Sequence, residues 1–248
     1  MRQRILITGA STGLGRGMAL EFAARGRDLA LCARRVDLLE LLQAQIKVSY
    51  PAVRVVIRAL DVNDHARVFA VFRELRDELG GLDRIIVNAG IGGCVPVGTG
   101  GFAANRATAE TNFVAALAQC EAAVEIFRAA GAGHLVTISS VAAIRGLPRA
   151  QTVYAATKAG LASLTEGIRA ELWNTPIQVS AIYPGYIESD ISSSARKRPF
   201  LVDTLTGCRA LFKAIESERP RVYVPRWPWA VISMLMRHVP LGLLVRFL

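Results

Sequence analysis

Thr8-Gly9-Ala10-Ser11-Thr12-Gly13-Leu14-Gly15 decides the fold. It follows the apolar run Arg4-Ile5-Leu6-Ile7 and opens a helical stretch over 15–25. Glycines at 9, 13 and 15 permit a tight turn and let backbone N–H groups approach an anion. The helix that follows points its positive end at the same place. A glycine cluster alone reads equally as a tight turn; set between an amino-terminal strand and a helix, it reads as a pyrophosphate cradle. Outward from it, short β-type runs at 4–8, 28–33, 54–59, 84–88, 134–139, 178–183 and 222–224 alternate with helical stretches at about 15–25, 36–48, 64–79, 107–130, 155–173 and 205–217. The early strands are nearly continuous apolar runs, as parallel strands covered on both faces are. This predicts an α/β doubly wound parallel sheet of about seven strands, with helices on both faces and right-handed crossovers. It also predicts one domain over 1–224, followed by a tail over 225–248.

Composition narrows the function. The chain has 248 residues, 52% hydrophobic, 20% charged and a formal net charge of +10, which excludes a disordered chain. Its four cysteines (Cys32, Cys94, Cys120, Cys208) lie far apart with no CxxC pair, so no metal site is expected and a reducing cytoplasm is. Residues 196–248 carry ten of the 30 basic residues and only three acids. Such an excess suits nucleic acid, an anionic membrane surface, an acidic substrate or a solvated arginine-rich face. No nucleic-acid-binding motif accompanies it, so no nucleic-acid partner is expected. The amino terminus runs straight into Gly-rich turn chemistry and does not read as a secretory signal, and no apolar stretch is long enough for a spanning helix.

Tyr154-Ala155-Ala156-Thr157-Lys158 carries the chemistry. Residues four apart share one helix face, so the phenol and the amine face one cavity. A phenol titrates near pH ~10, and a nearby ammonium lowers that value. At the end of the second strand, Ala33-Arg34-Arg35 offers two guanidiniums where an NAD enzyme places a carboxylate for the ribose hydroxyls. Arginine binds phosphate oxygens bidentately, so the expected cofactor is NADP(H), with Arg34 as first contact and Arg35 as second.

In this order and on these elements the chain resembles the short-chain dehydrogenase/reductase family, over about 4–190 and a last strand near 222–224. Thr8, Gly9, Gly13 and Gly15 match its Thr-Gly-x-x-x-Gly-x-Gly, with Ser11, Thr12 and Leu14 in the same loop. Asp61-Val62 matches the strand end whose Asp meets the adenine; a helix cap reads as well there. Asn88-Ala89-Gly90 matches the tripeptide beside the cofactor. Ser140 stands fourteen residues before Tyr154, one further than the family's usual spacing, so Ser139 and Ser140 both stay open, with Ser140 preferred. Asn112 matches the residue that kinks the preceding helix and holds a water near the lysine. Pro184-Gly185-Tyr186-Ile187-Glu188-Ser189 matches Pro-Gly-x-x-x-Thr at the nicotinamide carboxamide, with Ser189 in place of Thr. The resemblance implies a Rossmann-type fold and a homodimer or homotetramer formed through the helices at 107–130 and 155–173. Its mechanism gives Ser140 the substrate oxygen, Tyr154 the proton, Lys158 the ribose and the tyrosine's pKa, and Asn112 the relay to solvent. The alternative function is a non-catalytic NADP-binding sensor or scaffold; Tyr154 and Lys158, both present, argue against it.

Residues 191–219 are expected to form a lid over the substrate cleft. The tail at 225–248 holds two short apolar runs, 230–236 and 239–245, separated by Arg237-His238. It suits either packing on the cleft or on another subunit, or a helix lying in a membrane interface. An apolar tail in either place suggests an apolar carbonyl or alcohol substrate, of lipid, fatty acyl or steroid type.

Overall fold

The computed structural model describes residues 2–188 and 199–247, the side chains of 244, 246 and 247 excepted. Ser189 and the first part of the expected lid lie outside the described residues.

Seven parallel strands form one sheet: β1 (Arg4–Thr8), β2 (Asp28–Ala33), β3 (Val55–Ala59), β4 (Arg84–Val87), β5 (Gly133–Ile138), β6 (Ile177–Pro184) and β7 (Arg221–Val224). Their order is β3-β2-β1-β4-β5-β6-β7, the doubly wound arrangement that the apolar runs predict. Side chains alternate across β1, so Leu6 and its neighbours Ile5 and Ile7 enter different cores. Leu6 packs under α3 (His65–Leu79), α5 (Ala115–Ala130) and α6 (Thr152–Glu171). Ile5 and Ile7 pack under α1 (Gly13–Ala23), α2 (Val36–Ser49) and α7 (Thr204–Glu216). Local chemistry sets the helix ends. Asp64 accepts a bond from Arg67 N at 3.0 Å to start α3, and Gly80, in the left-handed region at φ 76°, stops it.

The stretch read as one helix over 107–130 differs. It begins at α4 (Phe102–Ala109), widens into a π turn (Glu110–Val114), and only then becomes α5. Ala115 N donates to Glu110 O across that turn, one residue further than in an α-helix. Downstream, the tail forms α8 (Arg226–His238) and α9 (Leu241–Phe247), separated at Pro240, which has no N–H to continue a helix.

Candidate active site

The sheet order reverses between β1 and β4, which opens a crevice at the carboxyl ends of those strands. Both motif loops flank it. Thr8 is fully buried, and its hydroxyl accepts from Asn88 N and Ala89 N, each at 3.0 Å. Asn88 Nδ2 donates back to Thr8 O at 2.8 Å. The glycine loop and the Asn88-Ala89-Gly90 segment are therefore stitched into one wall. Gly9 and Gly13 sit at positive φ, 63° and 54°. A Cβ on Gly15 would collide with the Gly9 carbonyl and come within 2.8 Å of Asn88 Nδ2.

The residues present fit a dinucleotide phosphate. Thr12 stands at the amino end of α1 but does not cap it, and the first turn holds no acid. Its N–H groups and the helix dipole are thus offered to an anion. Arg35 Nη2 donates to Thr12 Oγ1 at 2.8 Å and to Ser11 Oγ at 3.4 Å. Arg34 is exposed. Of the two guanidiniums it is the second, Arg35, that already touches the glycine loop. Val62 is buried, and Asp61 closes a turn by accepting from Asn63 N at 3.0 Å. The helix-cap role that Asp61 could have filled belongs to Asp64.

Ser140, Tyr154 and Lys158 converge beside that wall. The two serines divide their work. Ser139 is buried, and its hydroxyl donates to Lys158 O at 2.8 Å, fixing α6 to the end of β5. Ser140 Oγ accepts from Ala142 N at 3.1 Å and hydrogen-bonds to Tyr154. Lys158 Nζ donates to Ile138 O at 2.9 Å and lies 5.9 Å from the Tyr154 ring centre. A Cβ on Gly90 would stand 3.5 Å from that ammonium and 3.1 Å from Asn112 Oδ1, so only glycine leaves the space beside both open.

Asn112 sits in the π turn, fully buried. Its Oδ1 accepts from Ile91 N and its Nδ2 donates to Ile91 O, both at 2.8 Å. One donor and one acceptor of the side-chain amide thus hold Ile91 by both its carbonyl and its N–H.

Burial sets the titration of the pair. It pushes the Tyr154 phenol up to about 12, opposed by the bond to Ser140 and reinforced by Tyr186 and Cys94. It pushes the Lys158 ammonium down to about 8. No carboxylate forms an ion pair with Lys158 among the described residues.

Four contributors escaped the sequence reading. Trp229, 4% exposed, lies over Gly185, where a Cβ would collide with its indole ring. Tyr186 and Phe200 pack edge-on against it at 5.8 and 6.0 Å, so the cleft has an aromatic wall. Arg145 donates to Met236 O at 2.9 Å and to Val239 O, tying the α8–α9 corner to the segment after Ser140. Only the Pro184-Gly185 pair hints at the first of these. Ile187 is buried beside Gly207.

A family model for short chain dehydrogenases matches residues 3–199. An uncharacterized oxidoreductase of Mycobacterium tuberculosis is 53% identical over 246 residues, 99% of this chain and 97% of that protein. Among solved structures, a short chain dehydrogenase/reductase of Burkholderia phymatum in complex with NAD aligns with a TM-score of 0.84 at 21% identity, covering 95% of this chain and 92% of its own. A short chain dehydrogenase of Burkholderia cenocepacia in complex with NADP aligns with a TM-score of 0.79 at 22% identity, covering 90% and 96%. At such identities these two speak for the fold alone. The match across most of the chain and the full-length relative carry the assignment: the chain belongs to the short-chain dehydrogenase/reductase family and is an oxidoreductase.

Proposed function

We propose that the protein reduces an apolar carbonyl compound, or oxidises the matching alcohol, with NADP(H). The observation that carries this reading is the convergence of Ser140, Tyr154 and Lys158 beside Gly90, next to a glycine loop that fits a dinucleotide phosphate. The hydride is the chemistry the dinucleotide supplies when bound.

The chain's own residues do the rest. Ser140 orients the substrate oxygen against the Tyr154 hydroxyl. Tyr154, neutral at physiological pH as a phenol is and held further so by burial, donates its proton to that oxygen as charge develops. Lys158 holds the nicotinamide ribose, and its cationic form stabilises the phenolate left behind. Asn112, whose side chain holds the Ile91 backbone, carries the water relay to solvent in this reading. Gly9, Gly13, Gly15, Thr12 and Leu14 receive the pyrophosphate, Asp61 and Val62 the adenine, and Asn88 to Gly90 the ribose side. Pro184, Gly185, Ile187 and Ser189 take the carboxamide. Arg34 and Arg35 favour NADP over NAD because the strand end carries guanidiniums and no carboxylate. The aromatic wall of Tyr186, Phe200 and Trp229 supports an apolar substrate. All four cysteines are free and buried, which suits a reducing cytoplasm. Dimers or tetramers through α4–α5 and α6 are the assembly we propose. A sensor without turnover is the alternative, and the retained Tyr154 and Lys158 weigh against it.

Following NADPH absorbance against carbonyl compounds of graded chain length tests this directly. Turnover should rise with chain length, and kcat/KM should be higher with NADPH than with NADH. A preference for NADH would overturn the cofactor, and a preference for small sugars would overturn the substrate class.

A further inference from the structure

The helix α8 is built inside out. Its inward face presents Trp229 and Ser233, both nearly fully buried. Val231, Met234 and Leu235, spaced as one helical stripe, face away from the protein and are 42%, 61% and 55% exposed. Trp227, just before the stripe, is 75% exposed, and Leu241 on α9 is 61% exposed. A helix of a globular protein turns such a stripe toward its core. A contiguous exposed apolar patch marks a surface that meets something else.

The surrounding charge says what that is. From residue 219 to the end the sequence has five arginines and no acid. Arg226 stands exposed at one end of α8, and Arg237 and His238 at the other. No helix among the described residues is long and apolar enough to cross a membrane, and an exposed apolar stripe flanked by arginines is the pattern of a helix that lies in a membrane interface.

We propose that the outer face of α8 and α9 docks on an anionic lipid bilayer. Val231, Met234 and Leu235 enter the boundary between headgroups and acyl chains, Trp227 sits at headgroup depth, and Arg226 and Arg237 pair with lipid phosphates. The Arg145 anchor holds this face beside the segment that follows Ser140, so docking turns the cleft rim to the bilayer. One consequence rests on the reductase reading: the substrate is drawn from the membrane.

The test uses the full chain with vesicles of phosphatidylcholine, alone or mixed with phosphatidylglycerol. Wild type should sediment with the mixed vesicles, release them as salt rises, and show a blue shift of Trp227 emission that Trp227→Phe removes. Met234→Glu combined with Leu235→Glu should lose at least about tenfold in vesicle affinity. The double variant should keep wild-type turnover of a water-soluble carbonyl. Should no carbonyl be turned over by either form, the sedimentation still decides the docking. Equal recovery of wild type with and without anionic lipid would overturn the proposal. So would a drop in oligomeric mass in the double variant without any vesicle binding, which would assign the face to a second copy of the chain.

Discussion

The sheet carries buried polar groups at both of its ends, and the two ends treat them differently. At the amino-terminal end, Arg84 is 1% exposed and lies against Glu216 and Glu218, the latter at 3.1 Å. Its Nε donates to His134 Nδ1 at 2.8 Å, which leaves His134 Nε2 to donate to Ser180 Oγ at 2.9 Å. Arg27 and Arg2 complete the ring around the same two glutamates. Burial and the Arg84 charge hold the His134 imidazole neutral, well below its ordinary pKa. At the carboxyl end, Lys158 is 5% exposed with a main-chain carbonyl as its partner. Trp229 Nε1 and Ser233 Oγ in α8 are buried without hydrogen bonds, as is Arg27 Nε at the amino-terminal end. One end closes its charges on themselves and holds β4, β5, β6 and α7 together. The other gives its buried ammonium no carboxylate partner among the described residues. Stability and chemistry are therefore separable by mutation.

The largest separation should come from Tyr154→Phe. Losing the proposed proton donor should lower kcat by about 10³, within the range for positioned acid–base groups. NADPH affinity and melting temperature should stay near wild type. Unchanged turnover would remove Tyr154 from the chemistry. The converse variant, Arg84→Met, strands Glu216, Glu218 and the His134 acceptor. It should cost about 3 kcal/mol of unfolding free energy, measured in urea, because breaking a buried pair uncovers the partner's charge. Turnover per folded molecule should not change; a large fall would mean that the two ends are coupled.

Much of this contrast was legible in the sequence on one side only. The apolar strands, the glycine loop and Tyr154-x-x-x-Lys158 are local patterns, and the structure brings them to one crevice. The π turn lies where the resemblance places a kink, at Asn112, but the residues of Glu110–Val114 do not by themselves announce a wider turn. Its cause is tertiary: Asn112 bonding to Ile91. Two adjacent serines look alike in sequence, and only the packing of α6 sends Ser139 to the lysine backbone and Ser140 to the phenol. The Arg84 ring joins residues from opposite ends of the chain, and nothing local to Arg84 or Glu216 announces it. The contact of Trp229 with Gly185 is long-range in the same way.

A pH experiment sharpens the comparison further. Burial lowers the Lys158 ammonium from 10.5 to about 8, so between those values the unfolded chain holds a proton that the native one has released. Stability from this group therefore rises with pH through that window, and below it the folded protein carries the full cost. At 1.36 kcal/mol per pH unit that cost is about 3 kcal/mol. Lys158→Met should accordingly be more stable than wild type at pH 7, less turnover notwithstanding. The difference should shrink as pH rises from 8 to 10.5, followed by urea unfolding. A constant difference would mean that the ammonium is solvated in the native state.

The smallest effect concerns the two guanidiniums. Arg35 already bonds to the Thr12 and Ser11 hydroxyls, so it has two ways to matter. If it receives the 2′-phosphate, Arg35→Ala should raise the KM for NADPH by about tenfold, one charge-assisted bond's worth, and leave the KM for NADH within about twofold. If it only braces the glycine loop, both KM values should rise together. Arg34 makes no such bond to the loop and has only the first route, so Arg34→Ala should discriminate between the cofactors cleanly. The two substitutions combined should then multiply for NADPH, because each removes a separate contact to one phosphate. A double variant no worse than Arg35→Ala alone would take Arg34 out of the site and leave Arg35 as the sole arginine that reads the phosphate.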